Sequence, residues 1–306
     1  MPALDALLDG PRAERAFLLK AVFAGAWAIG IEDEAPLSVV VLARGSATFT
    51  GADGIGHDLV PGDVVLARGP APYTFGDRGD RPVSIRILPG QVCVDPHGQV
   101  LPDEMITGVR TWGNTRDTGA DDTTVMLIGT YERATSVGAL LLARLPESVV
   151  LHDSDPTLTT LLAAELDGED AGQSVVLDRL LDLVLVTAVR TLLTDTPARP
   201  TDPTVNRALA ALEARPDLPW TVATLGAHVG LSRAALARRF THHVGEPPLT
   251  YLTRWRLALA ADLLGGTDLP LAAIAGRVGY TSPFALSAAL KRAHGVAPAT
   301  YRSGAA

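Results

Sequence analysis

Two stretches in the last third of the chain share one design: a short helix, a tight turn containing Gly, a Ser, and a second helix. They read LGAHVGLSRAALARRF and IAGRVGYTSPFALSAALKR, with Gly230 and Ser232 in the first turn and Gly279 and Ser282 in the second. A Gly closes a helix in the left-handed conformation and a Ser hydroxyl caps the next one. The repeated pair of signals therefore specifies two helix-turn-helix units, a motif whose second helix enters a major groove of DNA.

The rest of this region fits around the repeat. Thr204–Ala214 reads as a first helix, Thr221 as the cap of Val222–Val229, and Ser232 as the cap of Arg233–Val244. Pro247–Leu264 reads as one long helix closed by Gly265 and Gly266, followed by Leu271–Val278 and by Pro283–His294, with Pro283 at the favoured first position. A connecting helix of that length spans roughly 27 Å, against about 34 Å between successive major-groove openings on one face of the duplex. It can present two reading heads to one face of DNA. A small helical bundle with ordinary glycine caps would show the same pattern and stays open at this point.

In the first unit Leu225, Val229, Leu236, Phe240 and Val244 fall on one face. The opposite face carries Arg233, Ala234, Ala237, Arg238 and Thr241. Arg238 can offer a planar fork to a guanine edge, and Arg233 can do the same or hold a phosphate. His242 and His243, near a helix end, read as surface cations or cap helpers.

Charge supports a nucleic-acid partner only after the chain is divided. Over 306 residues the net charge is −8, which by itself argues against DNA. Residues 201–306, however, hold eleven Lys or Arg against six Asp or Glu, a net of +5, and residues 1–200 hold a net of −13. The division falls at DTPARPTDP (195–203), which has three prolines and no apolar periodicity and reads as a linker.

From about residue 21 to 150 the chain alternates short apolar runs with Gly, Pro and Asp, as in WAIGIED, SVVVLARGSATFT, VSIRIL and TTVMLIGTYE. Strands at this spacing predict an antiparallel sandwich or barrel. Residues 156–168 and 174–194 instead place Leu at helical spacing, including Leu177, Leu180, Leu181, Val184, Leu185 and Ala188. The second of these helices is apolar enough to need a partner surface, and pairing with its twin in a homodimer is the expectation.

The longest apolar stretch, 180–189, is too short to span a bilayer and contains Asp182; the N-terminus shows no basic leader followed by an apolar run. The one cysteine, Cys93, excludes an internal disulfide framework. A soluble cytoplasmic protein without a membrane segment is expected.

Residues 220–302 closely resemble the C-terminal DNA-binding domain of AraC/XylS-type transcription regulators, from WTVATLGAHVGLSRAALARRF through IAGRVGYTSPFALSAALKRAHGVAPATYR. The resemblance implies base-reading positions at Arg233, Ala234, Ala237 and Arg238 in the first unit. In the second unit it implies Pro283, Phe284, Ser287 and Ala288. The family usually has an aromatic residue followed by Arg in the final helix, where this chain has Leu286, Ser287 and Ala288. The second unit is therefore expected to grip mainly through phosphates, using Lys291, Arg292 and the cap amides at Ser282. Arg254 and Arg256 lie on the connecting helix, and Arg256 matches a position that packs the two units together.

The segment VPGDVVLARGPAPYTFGD resembles the second conserved segment of cupin domains, and GVRTWGN (108–114) a segment of one branch of such regulators. Metal-binding cupins place histidines and a carboxylate on facing strands. Here Tyr73 stands at the late position and no His-x-His pair precedes it, so no metal or other cofactor is expected, and His57, His97 and His152 read as dispersed loop residues. The resemblance implies a small effector inside the barrel, with Trp27, Arg44, Tyr73, Arg86 and Cys93 as candidate contacts. Cys93 reads as a buried apolar thiol or, if Arg86 and His97 support a thiolate, as an oxidant sensor.

The whole reading is an α+β multidomain chain. It comprises a cupin-like jelly roll (1–152), a helical dimerisation segment (153–194), a linker (195–203) and an all-α domain with two helix-turn-helix units (204–306). Its expected partners are double-stranded promoter DNA, a small effector, a second copy through helix 174–194 and, as a further candidate, RNA polymerase. The second function class is a cupin-type metal-dependent enzyme with a fused DNA-binding domain. No nucleophile with a base and no paired carboxylates support it.

Overall fold

A computed structural model describes residues 16–101, 105–108, 110–120, 122–131, 136–143, 146–152, 156–167, 170–195, 202–295 and 297–302. The chain divides into two units: Arg12–Ala134 with Leu142–Asp195, and Thr135–Leu141 with Thr196–Ala306. Positions 196–201 of the proline-rich linker lie outside the described residues.

The first unit opens with β1 (Ala16–Ala24), β2 (Ala28–Ile31), β3 (Leu37–Arg44), β4 (Ala47–Thr50), β5 (Gly56–Leu59) and β6 (Val64–Ala67). It continues through β7 (Tyr73–Gly76), β8 (Ile85–Leu88), β9 (Val92–Val94), β10 (Ile106–Gly108), β11 (Thr111–Gly113), β12 (Thr123–Tyr131) and β13 (Ser148–Leu151). One sheet has the order β10-β11-β1-β12-β3-β6-β13 and the other β5-β4-β7-β2-β8-β9. Most pairs are antiparallel, as expected. β1 with β11 and β2 with β8 are parallel, because crossovers lay strands side by side that are not neighbours in sequence.

The two sheets close on a common core in which Phe23, Val40, Leu42 and Met126 from one meet Ile29, Phe49, Tyr73 and Phe75 from the other. Alternation decides what each strand can bury. In β3, Val40 and Leu42 enter this core while Val39 and Val41, on the other face, are equally buried. That second face is covered by two helices, α2 (Pro156–Asp167) and α3 (Gln173–Asp195), which follow a short α1 (Ser136–Leu142). α2 lies against β1 and β3, and Leu181 of α3 sits on the backbone of Gly129 in β12.

Within helix 174–194 the apolar positions divide between two faces. Leu177, Leu181, Val184, Leu185 and Ala188 are buried inside their own unit and are not a free dimer face. The partner surface they needed is the sheet.

One buried ionic cluster ties β1 to β3. Lys20, 4% exposed in mid-strand, holds Asp117 at 2.7 Å, and Arg44 binds the same carboxylate and Thr123 Oγ1, the latter at 2.8 Å. Burial pushes the Asp117 carboxyl up, but hydrogen bonds from Lys20, Arg44 and the Gly119 N–H more than reverse this and hold it well below the ordinary carboxylate range.

The second unit contains α4 (Pro203–Ala214), α5 (Val222–Val229), α6 (Arg233–Val244), α7 (Pro248–Gly266), α8 (Leu271–Arg277), α9 (Pro283–His294) and α10 (Pro298–Arg302). Gly265 and Gly266 form the last residues of α7 instead of stopping it, and the chain leaves the helix at Thr267. Asp202, expected in the linker, caps α4 by accepting from Thr204 N at 2.8 Å. Two cores lie along α7. Tyr251, Leu252 and Trp255 pack with Leu209, Leu225, Leu236 and Phe240, whereas Ala260 and Leu264 pack with Ile274, Val278, Leu286 and Leu290.

The strap α1 was expected inside the 1–152 domain, but residues 135–141 group with the helical unit. Asp262 of α7 explains why. Its two carboxylate oxygens accept from Ser136 N (2.6 Å) and Val137 N (3.0 Å), Ser136 Oγ lies 3.2 Å from Tyr301 Oη, and Val137 is buried in the first helical core.

Removing Asp117 takes the carboxylate at 2.7 Å from the buried Lys20 and the same acceptor from Arg44. Asp117→Ala is expected to lower the unfolding free energy by about 3 kcal/mol, measured by urea denaturation at neutral pH. Because the folded carboxyl titrates below the unfolded one, the wild-type contribution is full above about pH 4 and is lost as pH falls further. The stability gap between wild type and variant should close in that acid window.

Candidate nucleic-acid interface

The two turns that aim the second helices are built alike. Gly230 and Gly279 both adopt left-handed backbone, at φ 76° and 78°, where a Cβ is disfavoured. The next residue in each turn donates back into the preceding helix, Leu231 N to Gly226 O and Tyr280 N to Ala275 O, both at 2.8 Å. Ser232 and Ser282 then accept from Ala235 N and Ala285 N, both at 3.2 Å. The second turn holds one residue more before its Ser. Upstream, Thr221 and Thr224 form a reciprocal capping box that starts α5.

The relation between the two units is held from α7. Arg256 Nε donates to Pro216 O and its Nη2 to Leu218 O, each at 2.7 Å, in the loop between α4 and α5. The same guanidinium lies against Gly279 of the second turn, so close that a side chain there would collide with it. Burial pushes its pKa down and the nearby Tyr280 and Asp217 raise it. The packing role expected for Arg256 is the one it has. Arg254 is paired with Glu246 and stacks near Tyr251.

On α6, Ser232, Arg233, Ala234, Arg238 and Thr241 are exposed and Ala237 is half-buried. On α9, Phe284, Ala288, Lys291 and Arg292 are exposed, and Ser282, Pro283 and Ser287 are half-buried. Every expected DNA-facing residue thus sits on or at the cap of one of these two helices.

Internal pairing separates the cations further. Arg239 points to the capping carboxylate of Asp202 at 3.5 Å, Arg215 pairs with Asp217, and Arg207 and Arg302 are spent on backbone carbonyls. Among the described residues Arg233, Arg238, Arg277 and Lys291 have no side-chain partner. Arg277, in the last turn of α8, was not singled out in the sequence. Its signal was the lack of any acidic residue near it.

The candidate effector contacts are not brought together. Trp27 and Tyr73 are inward, Trp27 stacked on Phe23 at 4.5 Å and Tyr73 beside Phe49 and Phe75. Arg44 is not available inside, being held by Asp117 and Thr123. Arg86 is turned outward: its strand neighbours Ile85 and Ile87 pack on the core, so alternation sends Arg86 to the other face, where it pairs with Glu32.

The register places Cys93 opposite Ile87, on the face away from Arg86, and His97 lies in a turn built on Asp95. Burial raises the Cys93 thiol above its ordinary value, which opposes a thiolate. The support expected from Arg86 and His97 is absent from this geometry. His57 lies on edge strand β5, and His152 sits 3.1 Å from the buried Asp63. Among the described residues no group of three or more His, Cys, Asp or Glu could hold a metal ion, and no helix is long and apolar enough to cross a membrane.

A Cupin family model matches residues 3–194 and a helix-turn-helix domain model matches residues 225–304. An AraC-like transcription regulator of Streptomyces lividans is 32% identical over 296 residues, covering 92% of this chain and 91% of that protein. The HTH-type transcriptional regulator AlkR of Acinetobacter baylyi is 28% identical over 321 residues, covering 99% of each. A solved structure of the DNA-binding domain of AdpA with a target DNA is 35% identical, covering 34% of this chain and 93% of that one, with a TM-score of 0.32.

Arg256→Ala removes both carbonyl contacts and is expected to destabilise the helical unit by about 1.5–3 kcal/mol in urea denaturation. Arg256→Lys should recover only part of this, because an ammonium cannot fork to two carbonyls.

Proposed function

Because the chain belongs to the AraC-type family of DNA-binding transcription regulators, with a cupin-like domain as its N-terminal half, we propose that it reads a promoter sequence through α6 and α9 under control of a small effector. The observation that carries this reading is the charge pattern of the helical unit. Arg215, Arg239 and Arg254 are paired with carboxylates and Arg207, Arg256 and Arg302 with backbone carbonyls, while Arg233 and Arg238 on α6 and Lys291 on α9, like Arg277 on α8, are exposed with no side-chain partner among the described residues. Arg238 serves as the guanine reader, Arg233 as a base or phosphate contact, and Ser232, Ala234, Ala237 and Thr241 line the approach. On α9, Lys291 and Arg292 hold phosphates, with the Ser282-capped amides in support.

The effector binds within the cupin-like half near Trp27, Tyr73 and Cys93, the candidate contacts that pack on its core. Effector binding acts without catalysis, a reading supported by relatives that are named as regulators. It biases which pair of half-sites a homodimer reaches. RNA polymerase is the second macromolecular partner, and the cytoplasm is the compartment.

The dimer seam lies on the outer face of α3. Val176 and Leu183 are 43% and 44% exposed, and with half-buried Leu180 and Thr187 they recur at the alternating four- and three-residue steps of a coiled-coil seam.

Two measurements test this reading. Arg238→Ala should weaken binding to a selected operator by about 1–3 kcal/mol and relax preference at one base pair. Equal loss on operator and random DNA would reduce Arg238 to a phosphate contact. Leu183→Glu should convert a dimer to a monomer in sedimentation velocity while leaving the fold intact, since the residue is exposed.

A further inference from the structure

The two reading helices carry opposite chemistry at the end that meets the bases. In α6 the first two turns hold Arg233 and Arg238. In α9 the corresponding residues, counted from the Ser caps, are Pro283 and Ala288, and nothing from Pro283 to Leu290 is charged; the cations Lys291 and Arg292 come only near the far end. Phe284 stands second in α9, where α6 has Ala234, and it is 85% exposed, the highest value among exposed large apolar residues of the described chain. It packs on no core. Exposed Ala285 and Ala288 and half-buried Ser287 lie around it on the same helix.

We propose that α9 selects thymine, with the Phe284 ring seated against thymine 5-methyl groups in the major groove. This rests on the DNA-binding reading above and assigns the second unit a base preference that its missing arginine seemed to deny it. The argument is one of matching surfaces. N-terminal residues of a recognition helix are the ones that meet base edges. The thymine methyl is the apolar group displayed in that groove, whereas guanine and cytosine edges show polar acceptors and donors that need hydrogen-bond partners. A phenyl ring pressed on a G·C edge would strip water from those groups and return no hydrogen bond. The same ring on a thymine methyl removes apolar surface from water on both sides. Lys291 and Arg292, further along the helix, supply the phosphate attraction that brings the ring to the groove. The operator should then be asymmetric, with a guanine under Arg238 and thymine one helical turn away under Phe284.

The test uses the full-length protein and DNA selected from a random pool by repeated binding. Each thymine of the second half-site is then replaced by deoxyuridine, which removes only the methyl group. Wild type is expected to lose about fourfold in affinity per contacted methyl, equivalent to ~0.8 kcal/mol per buried carbon group. Phe284→Ala should bind the thymine and uracil operators equally, at the weaker value, and Phe284→Leu should keep part of the difference. Equal binding of both operators by wild type overturns the proposal, and so does a thymine preference that survives in Phe284→Ala. Those results would leave the exposed ring to a protein partner. Failure to enrich any sequence from the pool would overturn the DNA-binding reading itself, and this one with it.

Discussion

Arg256 sets the geometry on which two-headed reading depends. A helix-turn-helix unit is too small to hold its partner at a fixed distance through its own core, and here the two cores, Trp255 in one and Leu264 in the other, share a helix and meet at Leu259. The side chain between them donates to two carbonyls of the α4–α5 loop and lies under the Gly279 turn. One planar cation thus touches the scaffold of the first unit and the turn that aims the second. Gly279 serves twice, by its left-handed backbone and by leaving room for that guanidinium. A rigid α7 with this bracket keeps α6 and α9 in one relation, which reading two grooves of one duplex requires.

Electrostatics then distributes the work. The negative whole-chain balance coexists with DNA binding because the acidic residues of the helical region are few and most of them are occupied. Asp202 caps α4 and attracts Arg239, Asp217 pairs with Arg215, Glu246 with Arg254, and Asp262 holds the strap. Among the described residues, the cations left without a side-chain partner include Arg233 and Arg238 on α6, Arg277 on α8 and Lys291 on α9. In the cupin-like unit the buried Lys20 is held by Asp117, and the core around Trp27, Phe49 and Tyr73 is apolar.

Local chemistry was legible in the sequence, and long-range chemistry was not. The helix-turn-helix units could be read because Gly230, Ser232, Gly279 and Ser282 act within a few residues of themselves, and the structure places their caps as read. The sensory strands after residue 21 were visible from alternation. β1 was hidden because Lys20 breaks its apolar pattern, and a carboxylate nearly a hundred residues away, that of Asp117, helps to hold the buried lysine. Arg86 and Arg44 were misread as inward because strand register decides the face, and a shift of one residue inverts it. The apolar face of α3 with Leu177, Leu181 and Leu185 was real, and its partner is Gly129 and the sheet. α1 carried no signal of its own, since its cap is supplied by Asp262 from another helix.

That borrowed cap bears on how such a chain can be taken apart. Val137 fills a place in the core built by α4, α5, α6 and α7, yet it belongs to a stretch encoded upstream of α2 and α3. A fragment beginning at the proline-rich linker would carry both reading helices but leave that place hollow and Asp262 without its two amides. The boundary that composition suggests is therefore not a clean seam for exchanging cupin-like halves between proteins. A recombinant that keeps this DNA-binding unit whole must bring the strap with it, which couples the inheritance of the two halves more tightly than a linker would.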